Sequence, residues 1–161
     1  MVTQPMQISL AWGEWLSRWE WSAWCTLTFR DPGYTHEAAT RSWLRFASWI
    51  RREGSPDLAW FVGHEVGARG RLHLHALLGA VLPYTQRSAL WSWWHKKYGR
   101  AQILAYHPKL GAAHYVSKYV TKDLAHYDLD LRGLDQCCSA QLSHPLQPGT
   151  PNWKRKRGES D

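Results

Sequence analysis

The chain is poor in cysteine and in acidic residues, and it has no long hydrophobic run. Cys25 and the adjacent pair Cys137 and Cys138 are its only cysteines, which excludes a secreted disulfide framework and a zinc ribbon built from CxxC pairs. No stretch reaches the eighteen apolar residues that a membrane-spanning helix needs. The first ten residues lack the charged and apolar segments of a signal peptide. We therefore expect a cytoplasmic protein without a membrane partner.

Basic residues dominate the charge of the chain. Its 161 residues include 20 Lys and Arg against 13 Asp and Glu, for a net charge of +7. A length of this order corresponds to one folded domain with a substantial core. An excess of positive charge favours a polyanionic partner, and nucleic acid is the natural candidate.

The hydrophobic periodicity predicts the element order β-α-β-β-α-β followed by one more helix. This order is typical of an α+β fold, a ferredoxin-like or RRM-like antiparallel sheet with helices on one face and the other face free for a ligand. Tryptophans at helical spacing also predict a lead-in helix before the first strand. The predicted strands begin near residue 24 and cover 58–66, 71–80 and 100–106; the predicted helices cover 8–21, 36–52, a segment from Pro83 to Gly99, and 108–124.

Three regions follow from this pattern. Residues 1–23 form a Trp-rich lead-in, residues 24–127 form the central domain, and residues 128–161 form an extension. The extension contains a basic run, Lys154 to Arg157, that we expect to be part of a mobile tail.

Two histidines one residue apart are the first candidate site. On a strand, His73 and His75 project from the same face while Leu72, Leu74 and Ala76 face the helices. Two imidazoles at this spacing can bind one metal ion, and a nearby carboxylate can supply a third ligand. HxH alone is more often a pair of surface polar residues on an exposed sheet.

The third ligand depends on the pairing register of the predicted hairpin. If Glu65 lies opposite His73, its carboxylate shares the face of the histidines. If the loop is one residue shorter, His64 takes that place, because a one-residue slip moves every side chain to the other face. The sequence leaves both open.

Tyrosines and lysines share one face of the last predicted helix. Tyr115 and Tyr119 are four residues apart, and so are Lys118 and Lys122, so all four side chains lie opposite the apolar stripe. A phenol with a pKa near 10 becomes a nucleophile when neighbouring cations favour the phenolate, and lysines neutralise charge developing on a phosphate. Alone, such a face is more often merely solvated.

The first strand carries two hydroxyls on one face. Thr26 and Thr28 alternate with apolar residues, and hydroxyls on an open sheet face are suited to phosphate or sugar contacts. By themselves they are ordinary strand residues.

Together, these three motifs resemble those of the HUH endonuclease superfamily, specifically the rolling-circle replication initiator (Rep) proteins of small phages and plasmids. The resemblance spans residues 24–123. The segments WCTLTFR, GRLHLHALLG and YVSKYVTKD resemble the first, metal-binding and tyrosine motifs of these proteins, in the same order.

The resemblance implies that the central domain is an HUH endonuclease that binds Mg²⁺ or Mn²⁺ through His73, His75 and Glu65. It implies that Tyr115 attacks single-stranded DNA first and that Tyr119 acts second or alternates with it, leaving a 5′-phosphotyrosine and a free 3′ hydroxyl. Lys118 and Lys122 complete the catalytic set, and Lys118 positions the phosphate or stabilises its charge. DNA contacts are expected from the first and second motifs, at Thr26, Thr28, Arg30 and Arg71.

The larger viral relatives often carry a helicase domain. No phosphate-binding GxxxxGK[ST] segment occurs in this chain, so we expect a host helicase and a host polymerase as partners.

Three alternatives stay open at this point. A transposase of the same superfamily would use the same chemistry, although two YxxK units favour an initiator. An RRM-like module without catalysis would explain the charge and the open sheet face, but not the arrangement of His73, His75 and Glu65. A closed zinc site is disfavoured because it wants four ligands, usually including cysteine.

Overall fold

The computed structural model describes residues 4–80, 87–111, 116, 126–132 and 134. Within these residues it contains three α-helices and one five-stranded antiparallel sheet. The elements are α1 (Gln4–Leu16), β1 (Trp21–Thr28), α2 (His36–Arg52), β2 (Ala59–Val66), β3 (Leu72–Gly79), α3 (Arg87–Lys97), β4 (Ala101–Ala105), a 3₁₀ turn (Pro108–Leu110) and β5 (Tyr127–Asp130).

The sheet order is β4-β1-β3-β2-β5. Its first four strands alternate with α2 and α3 in the predicted β-α-β-β-α-β order, so the predicted ferredoxin-like α+β fold is confirmed. The fifth strand, β5, was not predicted because its four residues are too few to establish a period. It pairs with the edge of β2.

The helix α2 follows its sequence signals closely. Thr35 caps its start by accepting a hydrogen bond from the backbone N–H of Ala38, and the chain turns after Arg52 at Gly54, where φ is +113°. Its apolar stripe packs into the core. The buried residues of this stripe are Ala39, Trp43, Phe46, Ala47 and Ile50, as the periodicity predicts.

The main core lies between the sheet and the helices α2 and α3. Strand residues of alternate parity enter it, among them Leu72, Leu74 and Ala76 of β3. Leu90 and Trp94 of α3 are buried there, whereas Trp91 is exposed on the outer side of the helix. Cys25 is a free, buried thiol in the same core, and desolvation raises its pKa to about 12.

The other face of the sheet is only partly open, which corrects the prediction that it is free. The helix α1 lies over its apolar end, where Leu16 joins a second core cluster with Phe61 and Leu77. The ring of Trp12 contacts Phe61 and Tyr127 at centroid distances of 5.6 and 5.5 Å. Burying these tryptophans requires an apolar partner, and the sheet face supplies it.

Some predictions fall on residues outside the described part. These are the cap Thr85, most of the helix predicted for 108–124, which would carry the tyrosines, and most of the basic extension. The described start of that helix is the 3₁₀ turn, which ends at Gly111 with φ +67°. None of the described helices is long and apolar enough to cross a membrane.

Candidate metal and DNA site

Residues from three neighbouring strands form polar rows across the sheet. The strand register aligns Thr28, His73 and Glu65 in one row and Thr26, His75 and Gly63 in the next. The third row is apolar and lies under α1. His73 and His75 therefore share the polar half of the face, as their spacing predicts.

Glu65 occupies the position that the hairpin register had left undecided. It pairs with His73, and its Oε2 lies 3.0 Å from Nε2 of His75. The side chain of His75 is 4% exposed and that of Glu65 is 22% exposed, so the pair is largely shielded from water. A carboxylate and two imidazoles therefore stand on the same part of the sheet.

His64 lies on the other face of the sheet. It pairs with Leu74, is 2% exposed, and places its Nδ1 3.0 Å from Nδ1 of His36 at the start of α2. The ring of His126 stacks on His36 at a centroid distance of 3.7 Å. The opposite face of the strand keeps His64 away from the HxH pair.

Both histidines of the HxH motif also contact β1. Thr28 Oγ1 lies 3.0 Å from Nδ1 of His73, and Thr26 Oγ1 lies 3.4 Å from Nδ1 of His75. The two imidazole planes are 26° apart, with 6.5 Å between their centroids. Because each Nδ1 faces β1, each Nε2 is directed to the side of β2.

Gly67 leaves room beside the imidazole of His73. A Cβ atom at position 67 would lie 2.8 Å from Nε2 of this ring. The missing side chain thus leaves the outer edge of the ring uncovered at the end of the strand that carries Glu65.

These residues suit a divalent cation in donor type. Two imidazoles and one carboxylate form a mixed N/O set that metals such as Mn²⁺ accept, and three protein ligands leave positions for water or phosphate. Within the described part of the chain, no three His, Cys, Asp or Glu side chains converge closely enough to hold a metal as they stand. The space beside Gly67 and the common direction of the two Nε2 atoms nevertheless fit the group that the resemblance implies.

The predicted nucleophiles Tyr115 and Tyr119 lie outside the described residues, as do Lys118 and Lys122. Val116, the next residue after Tyr115, is described and fully buried. It belongs to the second core cluster, on the sheet face that carries the histidines.

Basic and polar residues border the site. Arg30 and Arg71, both predicted to contact DNA, are exposed; the guanidinium of Arg30 donates to the carbonyl of His95. Sequence reasoning missed two residues that extend the polar rows, Arg100 beside Thr28 and Gln102 opposite Thr26. Both are exposed, and the pairing of β4 with β1, which no local pattern reveals, places them there.

A comparison of the chain with curated proteins finds no match, and neither does a comparison with solved structures. A family model does match, over residues 22–124, which is more than half of the chain. The match begins at β1, so the helix α1 precedes it, and it includes the HxH strand and the tyrosine segment. On this match, the chain belongs to the ORF2 family of replication-associated proteins.

Proposed function

We propose that the protein is a replication initiator of the HUH type that nicks single-stranded DNA through a tyrosine of its Y-x3-Y motif. The observation that carries the proposal is the pairing of Glu65 with His73, which brings a carboxylate to the HxH pair on the polar half of the sheet face. Membership of a replication-associated family supports the biological role.

His73, His75 and Glu65 would hold Mg²⁺ or Mn²⁺. A divalent cation so bound supplies Lewis-acid polarisation of the scissile phosphate. The three side chains would fix its position on the polar half of the sheet face, next to the hydroxyls of β1.

In the covalent step, the phenolate oxygen of Tyr115 attacks the phosphorus, and the bond from phosphorus to the 3′ oxygen breaks. The 5′ end is retained as a phosphotyrosine, and the departing 3′ oxygen takes up a proton to become a hydroxyl. Lys118 would stabilise the charge on the phosphate during transfer, with Lys122 beside the second tyrosine. Attack by that hydroxyl on a phosphotyrosine reverses the reaction and rejoins strands, which gives Tyr119 its alternating role.

Two observations support a common location for these groups. Val116 packs on the histidine face of the sheet, next in sequence to Tyr115. The basic residues Arg30, Arg71 and Arg100 border the same face and are exposed, which suits a polyanionic strand. Replication beyond the nick would need the host helicase and polymerase.

The test is covalent trapping with a labelled, random-sequence pool of single-stranded DNA, with Mn²⁺ or EDTA, resolved on a denaturing gel. We expect an adduct that needs Mn²⁺, persists in Tyr115→Phe or Tyr119→Phe singly, and disappears in the double variant. Tyr127→Phe in β5 is the matched control and should form the adduct normally. Tight DNA binding without any adduct, unchanged by EDTA, would instead favour the RRM-like binding module.

The adduct also distinguishes an initiator from the transposase alternative. Sequencing the trapped DNA identifies the cleaved site. Supplying transposon-end hairpins in place of the pool, and finding strand transfer only with these, would overturn the initiator hypothesis.

A further inference from the structure

Two threonine hydroxyls of β1 lie directly against the HxH pair. Thr28 is paired with His73 and Thr26 with His75 in the strand register, and each hydroxyl faces Nδ1 of its partner, at 3.0 and 3.4 Å. Both contacts therefore join the same pair of atoms, repeated two residues along the strands.

The contacts decide which ring nitrogen is available on each histidine. A neutral imidazole carries its proton on one nitrogen and a lone pair on the other, and the hydrogen bond at one nitrogen selects the tautomer. If Nδ1–H donates to the threonine Oγ1, the lone pair is on Nε2. That is the nitrogen of His75 that lies 3.0 Å from Glu65, and the nitrogen of His73 that lies beside Gly67.

We propose that Thr26 and Thr28 are positioning residues that hold His75 and His73 in the Nδ1–H tautomer and turn both Nε2 atoms toward a divalent cation. The inference rests on the proposed metal site and deepens it. It gives the two threonines a function that the expected phosphate contacts do not include. A hydrogen-bond partner behind a metal-binding imidazole orients the ring and raises its basicity as a ligand.

The geometry also ranks the two residues. The Thr28 contact, at 3.0 Å, is an ordinary hydrogen bond, whereas the Thr26 contact, at 3.4 Å, is at the long end of the range. His75 has a second constraint in Glu65. The loss of the Thr28 hydroxyl should therefore matter more than the loss of the Thr26 hydroxyl.

The variants that test this are Thr28→Val and Thr26→Val, which keep a β-branched side chain suited to a strand and remove only the hydroxyl. Thr28→Ser and Thr26→Ser restore it. Thr40→Val in α2 is the matched control, since its hydroxyl bonds to the backbone carbonyl of His36, away from the HxH pair.

The first measurement uses the metal-free protein, in which long-range ¹H–¹⁵N spectra at pH 8 report the tautomer of each imidazole. We expect Nδ1–H for His73 and His75 in the wild type and in the serine variants, and a shift toward Nε2–H in the valine variants. The second measurement is the Kd for Mn²⁺ by titration calorimetry. It should rise about 10–100-fold in Thr28→Val and less in Thr26→Val, with the serine variants and Thr40→Val near the wild type.

Valine variants with wild-type tautomers and wild-type Kd would overturn the inference. Those results would leave the nicking assay of the wild type untouched, so the proposed function would stand. Conversely, a wild type that shows the expected tautomers and binds Mn²⁺ without ever forming an adduct would remove the nicking function and keep the role of the threonines.

Discussion

Glu65 stands directly opposite His73 across the β2–β3 pair, and this pairing places its carboxylate, rather than the imidazole of His64, on the face of the HxH motif. The alternation of side chains along a strand makes the choice exclusive, since neighbouring residues cannot share a face. The two side chains therefore have different roles, which variants can separate.

Glu65→Gln should weaken Mn²⁺ binding by more than the roughly 10–100-fold that is typical of losing a hydrogen-bond partner behind a ligand, because it replaces a charged ligand with a neutral amide. His64→Asn should leave the Kd for Mn²⁺ near that of the wild type and lower the thermal stability, since His64 is 2% exposed and contacts His36. Titration calorimetry and thermal unfolding measure the two effects. An unchanged Kd in Glu65→Gln together with a raised Kd in His64→Asn would show that the ligand has been assigned to the wrong residue.

Arg100→Ala should weaken the binding of single-stranded DNA of any sequence. Arg100 is exposed just before β4, beside Thr28, at the end of the row that contains His73. Loss of one phosphate contact should reduce the salt dependence, d log K/d log [salt], by about 1. Fluorescence anisotropy at several salt concentrations measures this. Arg45→Ala, on the exposed side of α2, is the control, and an equal loss in both variants would mean that only net charge matters.

Gly99→Ala should destabilise the protein by more than Gly70→Ala does. A Cβ at position 99 would lie 2.5 Å from the carbonyl oxygen of Thr28, and backbone at the end of β1 cannot move aside cheaply. We expect a loss of about 2–3 kcal/mol in the free energy of unfolding, as for other overpacked sites.

Position 70 separates the steric effect from the backbone conformation. Gly70 has φ +70° and nothing within 4 Å of a Cβ, so alanine there should cost only about 1 kcal/mol. Urea unfolding measures both variants. Equal losses would mean that the close approach of Gly99 to β1 carries no energetic weight.

Acid should weaken the wild type more than Asp130→Asn. Hydrogen bonds from Arg132 and then from Arg51 hold the pKa of Asp130 well below its usual range. A depressed folded pKa contributes stability that is present above the unfolded pKa, near 3.9, and is lost as the pH falls below it toward the folded value. Urea unfolding at pH 7 and pH 3 should therefore show a larger decrease for the wild type, by about 1 kcal/mol.

This magnitude is reduced for solvent screening, because the side chain of Arg132 is 79% exposed, although that of Asp130 is only 11% exposed. Arg51, at 29% exposure, is the better shielded partner. If wild type and Asp130→Asn lost the same free energy between the two pH values, the ion pairs of β5 would contribute nothing to stability.

Much of the fold could be predicted because its signals are local. The helical period of α2, its Thr35 cap and the alternation along β3 each depend on residues close together in the chain. The same alternation placed His73 and His75 on one face without any knowledge of their neighbours. The role of the tyrosine motif stays a prediction from sequence, since Tyr115 and Tyr119 lie outside the described residues.

The sequence by itself thus determined the order of the elements, the two-residue period that aligns His73 with His75, and the basic charge of the chain. Only the tertiary structure decided which residues meet them. Glu65 in place of His64, the hydroxyls of Thr26 and Thr28 against the imidazoles, and Arg100 at the end of the row all depend on the registers of strand pairs. The packing of α1 over the apolar end of the sheet is likewise a long-range contact. Registers and packing arise from turn geometry and burial across the whole sheet, which no short stretch of sequence encodes.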